Sequence, residues 1–211
     1  MIPKVIHYCW FGRNPLPILA QKCIKSWKKY CPDYEIKEWN EDNYDYFAVP
    51  FMKEAYEAKK WGFVPDYARY DIVYKYGGIY LDLDVELIRP LDELLVYKGY
   101  VGIDSEKYVA FGSGFGAEAG NATLKAIRDR YLQDTFLNED GSMNMVPAPH
   151  KDTGLLSEMG FLREDKYQEI GDLAIFPSNY FDPLEFSTRK VRISELTFSI
   201  HWYNASWVDE Y

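Results

Sequence analysis

The chain is 211 residues long, with 24 basic against 33 acidic side chains, a formal net charge of −9 and an aromatic content of 18%. That length suits one α/β domain with a sizeable core, spanning 1–211. The acidic balance argues against nucleic acid and against a generally anionic surface as partners.

No apolar run is long enough to span a bilayer, so the expectation is a cytoplasmic protein. Cys9, Cys23 and Cys31 are odd in number and lack CxxC spacing, which fits a reducing compartment better than a disulfide framework. In that setting the Asn-x-Ser/Thr sequences at Asn121 and Asn204 are chance matches.

Residues 5–10 are predicted as a buried first strand, closed by the turn-rich Phe11-Gly12-Arg13-Asn14-Pro15. Across residues 16–30, Leu16, Ala20, Cys23, Trp27 and Tyr30 form one helical stripe, with Lys22, Lys25 and Lys29 opposite. The lysines read as a solvated face; the alternative is peripheral contact with a lipid-linked acceptor at an anionic membrane surface. Residues 34–39 alternate like a half-exposed strand, and 51–61 form a short helix. Pro65 opens the next helix, at a position where its missing N–H would have had no partner. On that helix Asp66 and Arg69 stand three apart, and Asp71 and Lys75 four apart, so each pair shares a face. A surface ion pair of small energetic value is the plain reading of both. Gly77 is the helix C-cap candidate.

The stretch Gly77-Gly78-Ile79-Tyr80-Leu81-Asp82-Leu83-Asp84-Val85-Glu86 then reads as a strand. Alternation puts Tyr80, Asp82, Asp84 and Glu86 on one face and Ile79, Leu81, Leu83 and Val85 on the other. Carboxylates one strand repeat apart repel and raise each other's pKa. A hard divalent ion with oxygen ligands, Mn²⁺ or Mg²⁺, removes that cost. The plainer alternative is a solvated acidic strand end. A phosphohydrolase strand of the hydrophobic-Asp-x-Asp-x-Thr/Val type fits less well, because Glu86 occupies its last position and the motif lies deep in the chain.

Further on, residues 89–92 open a short helix, while 100–103 and 108–115 look like strands. Gly112, Gly114 and Gly116 suggest close approach of backbone to a ligand or a neighbour. Residues 121–131 form an amphipathic helix, 136–150 an aperiodic loop of the kind that closes over sites, and 172–177 a late strand. His7 and His150 read as structural.

Pro65-Asp66-Tyr67-Ala68-Arg69, followed by Tyr76-Gly77-Gly78-Ile79-Tyr80-Leu81-Asp82-Leu83-Asp84, resembles the signature of the sugar-binding DxD glycosyltransferases of glycosyltransferase family 32. The opening Ile2-Pro3-Lys4-Val5-Ile6-His7-Tyr8-Cys9-Trp10-Phe11-Gly12 and the ending His201-Trp202-Tyr203-Asn204-Ala205-Ser206-Trp207 resemble the same family, to which the large clostridial glucosylating toxins are more distantly similar. The resemblance implies a GT-A-like α/β fold, with a mostly parallel central sheet flanked by helices and the acidic pair at a strand's carboxyl end. It implies transfer of a hexose, with retention, from a nucleotide diphosphate sugar, most simply a UDP-sugar, to a glycan or lipid-linked glycan in surface polysaccharide assembly. Asp84, His201 and Asp82 become the metal ligands, and the imidazole suits Mn²⁺ better than Mg²⁺. Trp10, Tyr80, Asp82, Ser206 and Trp207 become donor-binding residues, Trp10 beside the base and Ser206 and Trp207 at the diphosphate. Asp66 and Arg69 turn from a surface pair into groups that orient the donor sugar. Lys151-Asp152-Thr153-Gly154 resembles the family's Thr-Gly element before a helix, with Leu155 where a proline is common. A catalytically silent sugar- or nucleotide-binding protein of the same fold is the alternative from a different class.

Overall fold

The structure is a computed structural model and describes residues 1–185 and 187–203. Ser206 and Trp207 lie outside the described residues. In chain order the elements are β1 (Val5–Cys9), α1 (Ile18–Tyr30), β2 (Glu35–Trp39), α2 (Pro50–Glu57), α3 (Pro65–Tyr76), β3 (Gly78–Tyr80), β4 (Val85–Leu87), β5 (Gly99–Gly102) and β6 (Phe115–Ala117). There follow α4 (Ala122–Tyr131), α5 (Ala148–Glu158), β7 (Gln168–Ile170), β8 (Leu173–Phe176), β9 (Leu184–Glu185), β10 (Lys190–Val191) and β11 (Ser199–His201).

A seven-stranded sheet in the order β2-β1-β3-β6-β5-β8-β7 runs through the middle. It is mixed, which corrects the expectation of a mostly parallel sheet: β1–β2, β1–β3 and β5–β8 pair in parallel, while β3–β6, β5–β6 and β7–β8 pair antiparallel. The connections explain this. Parallel neighbours need a crossover of a dozen or more residues, usually a helix. β7 and β8 are joined by a tight turn, with Gly171 at φ 57°. β6 slots between β3 and β5 and runs against both.

Alternation along the strands sorts side chains into two cores, one on each side of the sheet. Cys9, Tyr80, Val101 and Ile175 join the core beneath α2, α3 and α4. Tyr8, Ile79, Tyr100 and Phe176 join the core beneath α1. On α1, Trp27 is fully buried and donates its indole N–H to the Val85 carbonyl at 2.8 Å, while the Ser26 hydroxyl accepts from the Leu87 amide at 2.9 Å. The predicted stripe therefore docks α1 directly on β4. The opposite face is only partly free: Lys22 pairs with Glu86 at 2.8 Å, whereas Lys25 and Lys29 are exposed.

α3 is buried nearly all round, so its polar residues must find partners inside. Asp71 pairs with Lys75 at 2.7 Å and accepts from the Tyr44 hydroxyl at 2.9 Å. Gly77 ends the helix at φ 66°, the left-handed conformation expected of its cap.

Two further expectations are corrected. Residues 108–115 are not a strand: a 3-10 turn over Phe111–Ser113 precedes β6, and Gly114 sits at φ 114°. Thr153 and Gly154 do not precede a helix but lie within α5, which begins earlier because Pro149 is accommodated in its first turn. Among the described residues no helix is long and apolar enough to cross a membrane. All three cysteines are buried and free.

Candidate functional site

β3 stops at Tyr80, and the chain turns, with the Val85 amide donating to the Asp82 carbonyl at 3.0 Å, before β4 begins. The predicted continuous strand over 79–86 is thus two short strands of different sheets. Asp82 and Asp84 stand in the turn between them, just past the carboxyl end of β3, where ligands collect in open α/β sheets. Glu86 does not join them, because its carboxylate accepts from Lys22 and from the Trp202 indole N–H at 2.9 Å.

His201 reaches the pair through strand register. β11 runs antiparallel to β4 with His201 opposite Val85, one residue past Asp84, and the Trp202 amide donates to the Asp84 carbonyl at 2.9 Å. His201 Nε2 lies 3.2 Å from Asp84 Oδ1. One ligand atom each from Asp82, Asp84 and His201 falls within 4.8 Å of the others. Burial pulls the His201 imidazole down, but Asp84, Asp182 and Asp82 outweigh it and hold the ring up at about 9. The arrangement favours positive charge at this point.

Asp66 and Arg69, each 5% exposed, form a buried pair rather than the surface one that spacing alone suggests. Arg69 donates from Nη2 to Asp66 and from Nε to the Pro65 carbonyl at 3.2 Å, and its Nη1 lies 3.7 Å from Asp82 Oδ2. Burial pushes Asp66 up to about 6 in spite of Arg69. It also raises Asp82, against Arg69 and with a contribution from Asp84. Behind this group Asp152 accepts from the Tyr70 hydroxyl, and burial pushes its carboxyl up to about 7.

A cavity of about 540 Å³ joins these groups, lined among others by Trp10, Asp66, Arg69, Asp82, Asp84 and His201. Its size matches small-ligand sites. Trp10 is half-buried and donates its indole N–H to the Asn14 carbonyl at 2.6 Å, which ties down the turn after β1. Tyr80 lines the same cavity but is only 1% exposed, and the Arg69 guanidinium stands 5.6 Å from its ring centre. The structure thus brings together every predicted site residue that it describes.

Other neighbours complete the site, and not all of them are legible in the sequence. Gly112 lies against Asp82, the close approach expected of it: a Cβ there would sit 2.6 Å from Oδ2. Ser113 Oγ is 2.9 Å from His201 Nδ1. Asp182 is 2% exposed and accepts from the Tyr203 hydroxyl, and burial pushes it up to about 7. No local pattern marks either Ser113 or Asp182.

Comparison with known proteins agrees with this geometry. Residues 17–100 match the glycosyltransferase sugar-binding region containing a DXD motif, a segment that includes Asp82 and Asp84. The inositol phosphoceramide mannosyltransferase 3 of Schizosaccharomyces pombe is 39% identical over 108 residues, covering 47% of this chain and 29% of that protein. Against its paralogue, inositol phosphoceramide mannosyltransferase 1, the identity is 33%, over 44% of this chain and 31% of the relative. The chain thus aligns to under a third of the length of these curated relatives. An uncharacterized glycosyltransferase of Acanthamoeba polyphaga mimivirus is 25% identical over 190 residues, covering 87% of this chain and 74% of the viral one. Among solved structures, a glycosyltransferase involved in the glycosylation of the major capsid of PBCV-1 superposes with a TM-score of 0.54 at 12% identity, over 97% of this chain and 95% of that one. The PaToxG glycosyltransferase gives a TM-score of 0.54 at 18% identity, over 74% and 68% of the two chains. At those identities the structural likeness speaks for the fold. The chain thus carries a segment that matches the DXD-containing sugar-binding region of glycosyltransferases, is similar in sequence to fungal mannosyltransferases and to a viral glycosyltransferase, and shares its fold with solved glycosyltransferases.

Proposed function

We propose that residues 1–211 form one catalytic domain of the family 32 type. It moves a hexose, with retention, from a UDP-sugar to a glycan or lipid-linked glycan in surface polysaccharide assembly. The observation that carries this reading is the convergence of Asp82, Asp84 and His201 within 4.8 Å of one another, inside the cavity that Trp10 also lines. Two carboxylates and one imidazole suit Mn²⁺, and Mg²⁺ less well. The charge balance points the same way, since the surrounding carboxylates already draw positive charge onto His201.

In this reading Asp84 and His201 hold the ion directly, and Asp82 shares its oxygens between the ion and the donor's hydroxyls. Bound there, a divalent ion supplies Lewis-acid stabilisation of the charge that grows on the leaving diphosphate, worth several kcal/mol in general. The indole of Trp10 stacks on the base. Arg69 and Asp66 orient the sugar; Arg69 also steadies Asp82 from behind, at 3.7 Å. Ser206 and Trp207 bind the diphosphate. No side chain in the cavity is placed as a covalent nucleophile in this scheme. The acceptor hydroxyl attacks from the face the diphosphate leaves, and its proton passes to a leaving phosphate oxygen.

The test is Mn²⁺-dependent hydrolysis of UDP-sugars by the wild type and by Asp84→Ala. The expected outcome is slow turnover that Asp84→Ala abolishes, together with metal-dependent UDP binding, while the fold is retained. Thermal stabilisation by UDP and Mn²⁺ without turnover favours a silent binding protein. Phosphate release from simple phosphomonoesters without UDP affinity favours the phosphohydrolase. Unchanged UDP affinity in Asp84→Ala defeats the proposal.

A further inference from the structure

We propose that Ser113, Tyr203 and Asp182 are positioning residues that hold the His201 imidazole with its proton on Nδ1 and its Nε2 lone pair turned toward the cation. The inference rests on the metal reading above and adds to it residues that neither the relatives nor the sequence pattern assign.

The side chains stand in one line of contacts around the imidazole. His201 Nδ1 lies 2.9 Å from Ser113 Oγ, the Tyr203 ring lies against the imidazole, and the Tyr203 hydroxyl donates to Asp182 Oδ2. Ligation fixes the direction. A neutral imidazole that gives its Nε2 lone pair to a cation carries its one proton on Nδ1, and a hydroxyl oxygen can accept it. Tyr203 gives its own proton to Asp182 Oδ2. Ser113 Oγ then accepts from Nδ1–H of the neutral His201. A histidine that ligates a metal through one ring nitrogen is oriented by what the other nitrogen bonds. The Tyr203 ring also stacks on the imidazole, with centroids 4.1 Å apart and planes 30° apart, and this holds the ring plane.

Two costs argue that the line is kept for more than stability. Asp182 Oδ1 is buried with no hydrogen-bond partner among the described residues, and an unmet buried acceptor is expensive. Tyr203 is held at φ 49°, a left-handed conformation that non-glycine residues avoid. Asparagine at 182 would remove the unpaired charge, but it could offer an N–H to Tyr203 and undo the direction of the line. Ser113 and Asp182 are 1% and 2% exposed, so water does not substitute for either.

The experiment measures Mn²⁺ affinity by electron paramagnetic resonance for the wild type, Ser113→Ala, Tyr203→Phe and Asp182→Asn. Melting temperature and UDP affinity in EDTA are recorded alongside. Tyr203→Phe keeps the stacked ring and removes only the proton donor. Ser113→Ala and Tyr203→Phe are expected to weaken Mn²⁺ binding roughly 10- to 100-fold, the usual range for outer partners of a ligating histidine, with the EDTA measurements unmoved. Nitrogen-15 spectra of the Mg²⁺-loaded protein, which has only three histidines, give the tautomer directly: Nδ1–H in the wild type, with Nε2–H gaining in Asp182→Asn. Mn²⁺ affinities within twofold of wild type in both Ser113→Ala and Tyr203→Phe overturn the proposal. So does a wild-type His201 protonated on Nε2 in the Mg²⁺ complex, and so does a loss confined to metal-free melting. Failure of the underlying metal reading looks different: the wild type then binds no Mn²⁺ that Asp84→Ala abolishes, and both readings fall.

Discussion

Gly112→Ala is a small change aimed at the Asp82 carboxylate. Gly112 is not among the residues with positive φ, so alanine fits its backbone without strain. The added Cβ would stand 2.6 Å from Asp82 Oδ2 and 3.4 Å from Arg69 Nη1. Bringing the first contact back to an ordinary distance near 3.4 Å moves the carboxylate by about 0.8 Å. Arg69 is already close to contact and is pinned by Asp66 and the Pro65 carbonyl, so Asp82 must rotate toward the cavity rather than push the guanidinium aside. Off-rotamer carboxylates cost roughly 0.5–1.5 kcal/mol, too little to unfold a domain. Productive geometry, by contrast, is set to within roughly 0.5 Å, and a displacement near 1 Å costs on the order of 100-fold. Turnover of UDP-sugars with Mn²⁺ is therefore expected to fall by about two orders of magnitude, with the melting temperature in EDTA nearly unchanged. Turnover and Mn²⁺ affinity both within twofold of wild type would refute the claim that the position of Asp82 limits the reaction.

The other expectations separate the parts of the site. Trp10→Ala should weaken UDP by roughly 10- to 100-fold, the worth of one base stack of about 1–3 kcal/mol, while leaving Mn²⁺-pyrophosphate binding alone; equal losses on both ligands, read by calorimetry, would remove the base from Trp10. Arg69→Met leaves Asp66 buried beside Asp82 without a counter-charge and should cost about 3–5 kcal/mol in urea denaturation; Asp66→Asn in the same chain should restore part of it, and no restoration would deny that the pair is coupled. His7 is 2% exposed, sits 2.9 Å from the Gly77 carbonyl and accepts from the Trp39 indole at 3.1 Å. Burial lowers its pKa to about 4, so the unfolded chain binds more protons between its own value near 6.5 and that point. Stability from the neutral ring is complete above about pH 6.5 and is lost, by up to about 3 kcal/mol, as pH falls toward 4; denaturation curves of His7→Gln that track the wild type across that window would show that His7 carries none of it.

Which parts of this arrangement a sequence reveals follows from how local they are. The Asp82 and Asp84 pair, the Gly77 cap and the docking stripe of α1 are each settled within about two helical turns or one strand, and periodicity exposes them. The break between β3 and β4 was hidden, because the apolar residues Ile79, Leu81 and Val85 keep strand-like alternation through a turn and still all reach one core. The burial of Asp66 and Arg69 was hidden for a different reason. Their spacing is that of a surface pair, and only the packing of α3 between the sheet and α4 takes them out of water. Ser113 and Asp182 approach His201 from far along the chain, and nothing within a few residues of either records it.

The acidic pair is made into a three-residue cluster by the pairing of β11 with β4, and that contact spans more than a hundred residues. It is a short ladder of three residues, yet side chains reinforce it from several directions. Trp27 and Ser26 fix β4 from the α1 side, Glu86 takes both Lys22 and the Trp202 indole, and the Trp202 amide caps the Asp84 carbonyl. Each of these bonds locates the backbone on one side or the other of the His201–Asp84 contact. The histidine is delivered by a strand, with its ring nitrogens already committed, rather than by a free loop. An ion bound between Asp82, Asp84 and His201 as proposed would meet side chains whose ordering cost was met when β11 docked, so loss of that docking should cost cation affinity before it costs the sheet.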